Sequence, residues 1–243
     1  MPDIKSEKIT YTAGDTELTG YLAYDGSLTQ KRPAVLVVHE FWGLTDRMCR
    51  IADKLAMSGF AAFALDMYGT GKVSDSPEEA QAFMADAMSD MKRAEARFVS
   101  AIDVVSKHPS VDAGKVAAIG YCFGGAVVLH MARAGIDLSG VVSFHGILET
   151  QNQAEKGKVK PRILVLNGGD DPFAPLEHIK AFEEEMQNAG ADYEVINYPG
   201  TVHGFTNPEA DEIAAKYKLP VAYNKTADED SWARMLKLFG EIL

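Results

Sequence analysis

The side chains best suited to chemistry in this 243-residue chain are a cysteine, an aspartate, a histidine and a glutamate, each placed where an apolar run gives way to turn residues. Cys122 stands in Gly120-Tyr121-Cys122-Phe123-Gly124-Gly125, after the run 115–119 and before the helical stretch 126–133. A short β-type run, a glycine-flanked thiol and a helical stretch describe a strand–turn–helix junction, the G-x-S-x-G nucleophile elbow with Cys in the Ser position. A nucleophile on so sharp a turn needs strained backbone, and residues two before and two after it approach too closely to carry side chains. The thiol also lies at a helix N-terminus, where aligned peptide dipoles favour thiolate. The alternative reading is a glycine-rich turn with an inert buried cysteine. A phosphate loop is disfavoured, because no Gly-Lys-Ser/Thr follows and the glycine spacing is not that of a dinucleotide fingerprint.

A thiol needs a base, and the base needs something to orient it. The order Cys122, Asp171, His203 is nucleophile, acid, histidine, the order used on α/β-hydrolase sheets. His203 lies in a loop close to glycines, as a base at a sheet rim should. Asp170 competes with Asp171; Pro172, which fixes the chain after Asp171, favours the latter. Of the six histidines, His108 and His178 read as surface residues and His130 as packed in the elbow helix, whereas His39 and His145 end strands and could line a site. The expected oxyanion donors are the backbone N–H of Phe123 and one from the loop after strand 33–38, assigned to Phe41.

The elements that must hold these groups follow from hydrophobic periodicity. Residues 7–12 and 17–24 predict a β-hairpin. The apolar runs 33–38, 60–65, 115–119, 140–144 and 162–166 predict buried strands of a parallel sheet, and Tyr193–Tyr198 a further strand. Helices are expected over 46–57 with Asp46 as its cap, over a single long stretch after Ser76-Pro77 reaching Val105, over 126–133, 176–189 and about 228–242, with a segment near 209–218. The alternation predicts one α/β domain over 1–243, a mostly parallel, doubly wound sheet with helices on both faces and no large cap. Every residue suspected of chemistry follows the carboxyl end of a strand, where open α/β sheets bind ligands.

Composition bounds the function. A net charge of −11 argues against nucleic acid or an anionic membrane as partner. Two cysteines, Cys49 and Cys122, allow neither a disulfide framework nor a cysteine-rich metal site, and no metal or cofactor is expected. No apolar run approaches membrane-spanning length and no leader is evident, which fits a reducing cytoplasm. The oligomeric state is left open, a homodimer included.

His39-Glu-Phe-Trp-Gly-Leu44, Leu65-Asp-Met-Tyr68, the elbow, Gly168-Gly-Asp-Asp171 and His203-Gly-Phe205 together resemble the dienelactone hydrolase family across essentially the whole chain. The resemblance implies an α/β-hydrolase fold and a Cys-His-Asp triad carried by Cys122, His203 and Asp171. It also makes Glu40 the family's active-site glutamate, keeping the resting thiol protonated and accepting its proton once substrate binds. Family members acting on the anionic lactone hold its carboxylate with arginines, one on the helix after the Asp-x-Tyr strand and one past the histidine. Here Pro77–Met84 and His203–Pro208 contain none, which points to neutral esters or lactones. Phe41, Trp42, Tyr68, Phe83, Phe123, His145 and Phe205 are the expected pocket residues for an aryl or acyl group, and such a pocket could admit other neutral electrophiles, phosphotriesters included. Two readings of another class are a ligand-binding relative without turnover and a thiol redox sensor pairing Cys122 with Cys49.

Overall fold

The computed structural model describes residues 2–243. The chain divides into two compact units, one ending at Ala118 and one running Ile119–Leu243.

The first unit opens with β1 (Ile4–Ala13) and β2 (Thr16–Asp25), an antiparallel hairpin in register from Ile4↔Asp25 to Ala13↔Thr16. β3 (Arg32–Val38), α1 (Asp46–Met57), β4 (Ala61–Leu65), α2 (Pro77–Met88) and α3 (Met91–Val105) follow. β5 (Val111–Tyr121) runs through the division into the second unit. The strand order in the first unit is β1-β2-β4-β3-β5. β2 pairs antiparallel with β4 at Tyr21↔Ala64, and β3 pairs parallel with β4 from Ala34↔Ala61 to Val38↔Leu65. All five residues of β4, and 34–38 of β3, are buried, which is why both read as continuous apolar runs rather than alternating ones. β1, at the edge, is mostly exposed and carries the alternating polar residues an edge needs.

The second unit continues with α4 (Phe123–Arg133), β6 (Gly140–Phe144), β7 (Arg162–Gly168), α5 (Leu176–Ala189), β8 (Tyr193–Tyr198), α6 (Ala210–Tyr217) and α7 (Lys225–Ile242). Its order is β5-β6-β7-β8. β6 pairs parallel with β7 from Gly140↔Arg162 to Phe144↔Leu166, and β7 with β8 from Ile163↔Tyr193 to Gly168↔Tyr198. Among the described residues the eight strands are those of a mostly parallel sheet with seven helices, the α/β-hydrolase fold expected from the sequence. No helix among the described residues is long and apolar enough to cross a membrane.

Four local expectations are corrected. The long helix after Pro77 is two helices, because Asp90 leaves helical geometry and its carboxylate caps the next segment by accepting from the Arg93 N–H at 3.1 Å, while the Ser89 hydroxyl donates to the Asp86 carbonyl. The apolar spacing across the break is unbroken, which is why periodicity alone misses it; Met88 beside it is 39% exposed. Thr45, not Asp46, is the N-cap of α1, and Asp46 occupies its first turn. The last helix begins earlier than expected, with Asn224 capping it through the Ala227 N–H at 3.2 Å. His108, read as a surface residue, is largely covered, hydrogen-bonding Glu7 and packing its ring 4.7 Å from that of Tyr24.

Candidate active site

Cys122 occupies the turn between β5 and α4 with φ 53° and ψ −115°, outside the region that non-glycine residues ordinarily adopt. Such backbone costs about 1–3 kcal/mol and persists only where neighbours over-determine it. Here they do. The Cys122 N–H donates to the Phe144 carbonyl on β6 at 3.1 Å, and the Cys122 carbonyl accepts from the N–H groups of Gly125 and Ala126 at 2.9 and 3.2 Å, the first bonds of α4. Gly120, two before the cysteine, has the steric reason the sequence suggested, and on the far side the close approach falls at Gly125, three after, where the sequence placed it two after. A Cβ on Gly120 would stand 2.0 Å from the Gly124 carbonyl oxygen, and one on Gly125 would meet the Ser143 hydroxyl at 2.6 Å and the Gly146 Cα at 2.7 Å. The thiol itself is free of any disulfide and half-buried.

Two later strand ends bring partners to it. After β7, the Asp171 N–H bonds the Gly168 carbonyl at 3.2 Å, and the residue is 2% exposed. Asp170, exposed, instead bonds Thr201 through its backbone. The geometry therefore selects Asp171: its Oδ2 accepts from His203 Nδ1 at 2.8 Å, and its Oδ1 from the Phe173 N–H at 2.8 Å. Cys122 lies near enough to the imidazole for its charge to act on it. Burial, the largest single influence on His203, disfavours its cation. The charge of an ionised Cys122, the hydrogen bond to Asp171 and the Asp171 charge outweigh it and push the His203 pKa up to about 10. The group can thus hold a proton on imidazole while sulfur is the nucleophile, then hand it on.

Further groups pack around His203. His145, with φ 40°, lies edge-on to it at 5.0 Å, and its Nε2 is 2.9 Å from the Thr206 hydroxyl. Phe205 packs against His145 at 5.2 Å and Tyr198 at 5.5 Å and is fully buried. Phe173 lies edge-on to His203 at 4.9 Å and is 44% exposed. Neither Phe173 nor Thr206 was singled out by sequence reasoning, although the one follows Asp171-Pro172 directly and the other ends His203-Gly-Phe-Thr206.

In the first unit, the loop after β3 holds a group of its own. His39 Nε2 accepts from the Met67 N–H at 3.1 Å, so its proton sits on Nδ1, which donates to the Glu40 carbonyl at 2.6 Å. Burial lowers the His39 pKa, in keeping with that neutral tautomer. The same carbonyl accepts from the Gly43 N–H, fixing the Glu40–Phe41 peptide. Because that peptide is trans, the Phe41 N–H points away from His39. The Glu40 carboxylate, 7% exposed as a residue, lies 3.4 Å from Arg47 Nη1 on α1. The Tyr68 hydroxyl donates to the Phe41 carbonyl at 3.2 Å. Its ring is 4.6 Å from that of His39 and 5.7 Å from that of Phe83, while Phe41 and Trp42 lie 4.2 Å apart. Arg47, seven residues past Glu40, was also missed by the sequence reading.

Comparison with known proteins converges on one family. A family model described as the dienelactone hydrolase family matches residues 18–243. The protein usf of Aquifex pyrophilus is 28% identical over 245 residues, covering 98% of this chain and 99% of that protein. A putative carboxymethylenebutenolidase of Aquifex aeolicus is 28% identical over 215 residues, covering 85% of this chain and 90% of the relative. Among solved structures, the dienelactone hydrolase-like promiscuous phosphotriesterase P91, from metagenomic libraries, is 35% identical with a TM-score of 0.90, covering 98% of each chain.

Proposed function

The chain belongs to the dienelactone hydrolase family of ester and lactone hydrolases, and from that premise we propose that it hydrolyses small neutral esters or lactones through a covalent acyl-thioenzyme on Cys122. Cys122 Sγ attacks the carbonyl carbon. As the tetrahedral intermediate collapses, His203 gives its proton to the departing alcohol oxygen, and the acyl group remains on sulfur. His203, now neutral, takes a proton from water, which attacks the thioester and releases the acid. Asp171 keeps the imidazole in the tautomer and orientation both steps need. The observation that carries this reading is the buried Asp171–His203 hydrogen bond, with Cys122 acting on the same imidazole from a strained elbow. Glu40 as acceptor of the thiol proton, and the Phe123 and Phe41 N–H groups as oxyanion donors, enter the reading from the sequence motifs.

The neutral substrate class follows from the missing arginines in Pro77–Met84 and His203–Pro208. A panel of phenyl and alkyl acetates and of neutral and carboxylated lactones, compared by kcat/KM, tests both points. Neutral substrates are expected to lead, and Cys122→Ala to lower kcat/KM by about 10⁴-fold or more, with loss of the acetyl adduct on Cys122 in quenched mass spectra. Equal activity in wild type and Cys122→Ala removes the reading. Aryl phosphotriesters form a second substrate class, favoured by the similarity to P91; a phosphorylated Cys122 after exposure to one would support it. The redox alternative is the weaker one, since burial and then the charges of Asp46 and Asp53 push the Cys49 thiol up, away from the thiolate such chemistry needs.

A further inference from the structure

Phe173 is exposed in a neighbourhood that is otherwise closed. His203, against which its ring stands at 75° and 4.9 Å, is 5% exposed, and His145 and Phe205 have no exposed surface at all. Among the aromatic side chains described above around His203, Phe173 is the exposed one. Other large apolar residues are exposed on this chain, Leu176 among them, and single exposed side chains need no explanation. Phe173 differs in what holds it. Its N–H is bonded to Oδ1 of the same Asp171 carboxylate whose Oδ2 orients His203. The backbone that carries the phenyl ring is thereby tied to the acid–base pair.

We propose that Phe173 is the wall of a leaving-group subsite, and that the alcohol half of the substrate it receives is aromatic, a phenol. The inference rests on the acyl-transfer reading above. In the acylation step the S–C bond forms, the C–O bond breaks, and the proton on His203 passes to the leaving oxygen. That oxygen must come within hydrogen-bond reach of the imidazole, about 2.6–3.2 Å, so whatever it carries lies beside His203. The open ring there is Phe173, already edge-on to the imidazole. An aryl group seated on its face would make the offset or edge contacts aromatic pairs favour at about 4.5–7 Å between centroids. The acyl half stays on sulfur, so Phe173 acts on acylation and not on hydrolysis of the thioester. The same placement would serve the phenol leaving a phosphotriester.

The test compares phenyl acetate with ethyl acetate, which share one acyl-enzyme. In Phe173→Ala the ratio of kcat/KM for phenyl over ethyl acetate is expected to fall about tenfold, with the deacylation rate constant unchanged and the ratio restored in Phe173→Trp. An equal fall for both esters, or a displaced pH–rate profile, would mean that the ring only positions His203 and would overturn the proposal. A second arm needs no turnover. On the Cys122→Ala background, phenol binding followed by calorimetry should weaken several-fold when Phe173 becomes Ala, and butan-1-ol binding should not. If no ester is turned over yet phenol binding follows Phe173, the acyl-transfer reading fails and the aryl subsite stands. If esters are turned over and phenol binding ignores Phe173, the subsite fails and the hydrolase stands.

Discussion

His39 and His203 are buried histidines that follow parallel strands, β3 and β8, and the two units use them in opposite ways. Both nitrogens of His39 are spent on backbone, one on the Met67 N–H and one on the Glu40 carbonyl. With no negative partner matching the cost of burial, the ring is held neutral, and it serves to fix the peptide before Phe41. His203 is almost as deeply buried, but its partners are a carboxylate and a thiol, and these carry its pKa up to about 10. Burial alone therefore yields a structural histidine. Burial with an acid partner and a nearby thiol raises the pKa instead, and in the proposed mechanism that ring is the proton carrier. His145 stands between them, with a neutral hydroxyl, that of Thr206, on its Nε2.

The sharpest way to break this contrast is to remove the charge that distinguishes His203. Asp171→Asn keeps the shape but loses the ion pair and favours the wrong tautomer, and kcat/KM for phenyl acetate should fall about 10³- to 10⁴-fold. The His203 titration, followed by NMR of the imidazole protons, should move down from about 10. Unchanged kinetics would put His203 in the same class as His39.

A smaller effect, and one that separates the two rings by sign, is the pH dependence of stability. The folded state holds a proton on His203 that the unfolded chain releases above about 6.5. Its contribution is thus complete below that pH and lost as pH rises towards about 10. His39 is the reverse: its pKa is lowered by burial, so the unfolded chain takes up the proton first and stability falls as pH drops below about 6.5. Urea titrations across pH should show His203→Gln flattening the alkaline limb and His39→Ala the acid limb. His39→Ala should also cost about 2 kcal/mol at neutral pH, by stranding the Met67 N–H. An alkaline limb unaffected by His203→Gln would count against the charged imidazole.

Thr206→Val asks where His145 belongs. Removing one hydroxyl at constant shape should cost about 1 kcal/mol of stability and leave the Asp171–His203 pair in place. If kcat/KM instead falls by orders of magnitude while the urea midpoint hardly moves, His145 works with His203 rather than beside it.

The elbow was legible in the sequence because its constraints are local. Gly120 must lack a side chain where the Gly124 carbonyl passes, and a β run, a tight turn and a helix leave a pattern along one stretch of chain. The buried strands were legible for the same reason, each being a short run of apolar residues. The split at Asp90 was not, because the apolar spacing of α2 carries on into α3 and only the cap marks the end of one helix and the start of the next. Phe173 was not either: an aromatic residue near the start of a helix resembles any other until its ring is seen against an imidazole.

The sequence by itself determined the chemistry on offer: a thiol on a glycine turn, an acid and a histidine at later strand ends, and no arginine in Pro77–Met84 or His203–Pro208. Those are statements about residue types and short-range sterics, which a linear chain can carry. What the tertiary structure decided was which of these groups meet. It joined Asp171, the acid the sequence already favoured over Asp170, to His203, spent both nitrogens of His39 on backbone, and left Phe173 exposed while closing Phe205. Each of those choices depends on which groups meet across distant loops and on how much water is excluded when they do, and neither quantity exists until the chain has folded.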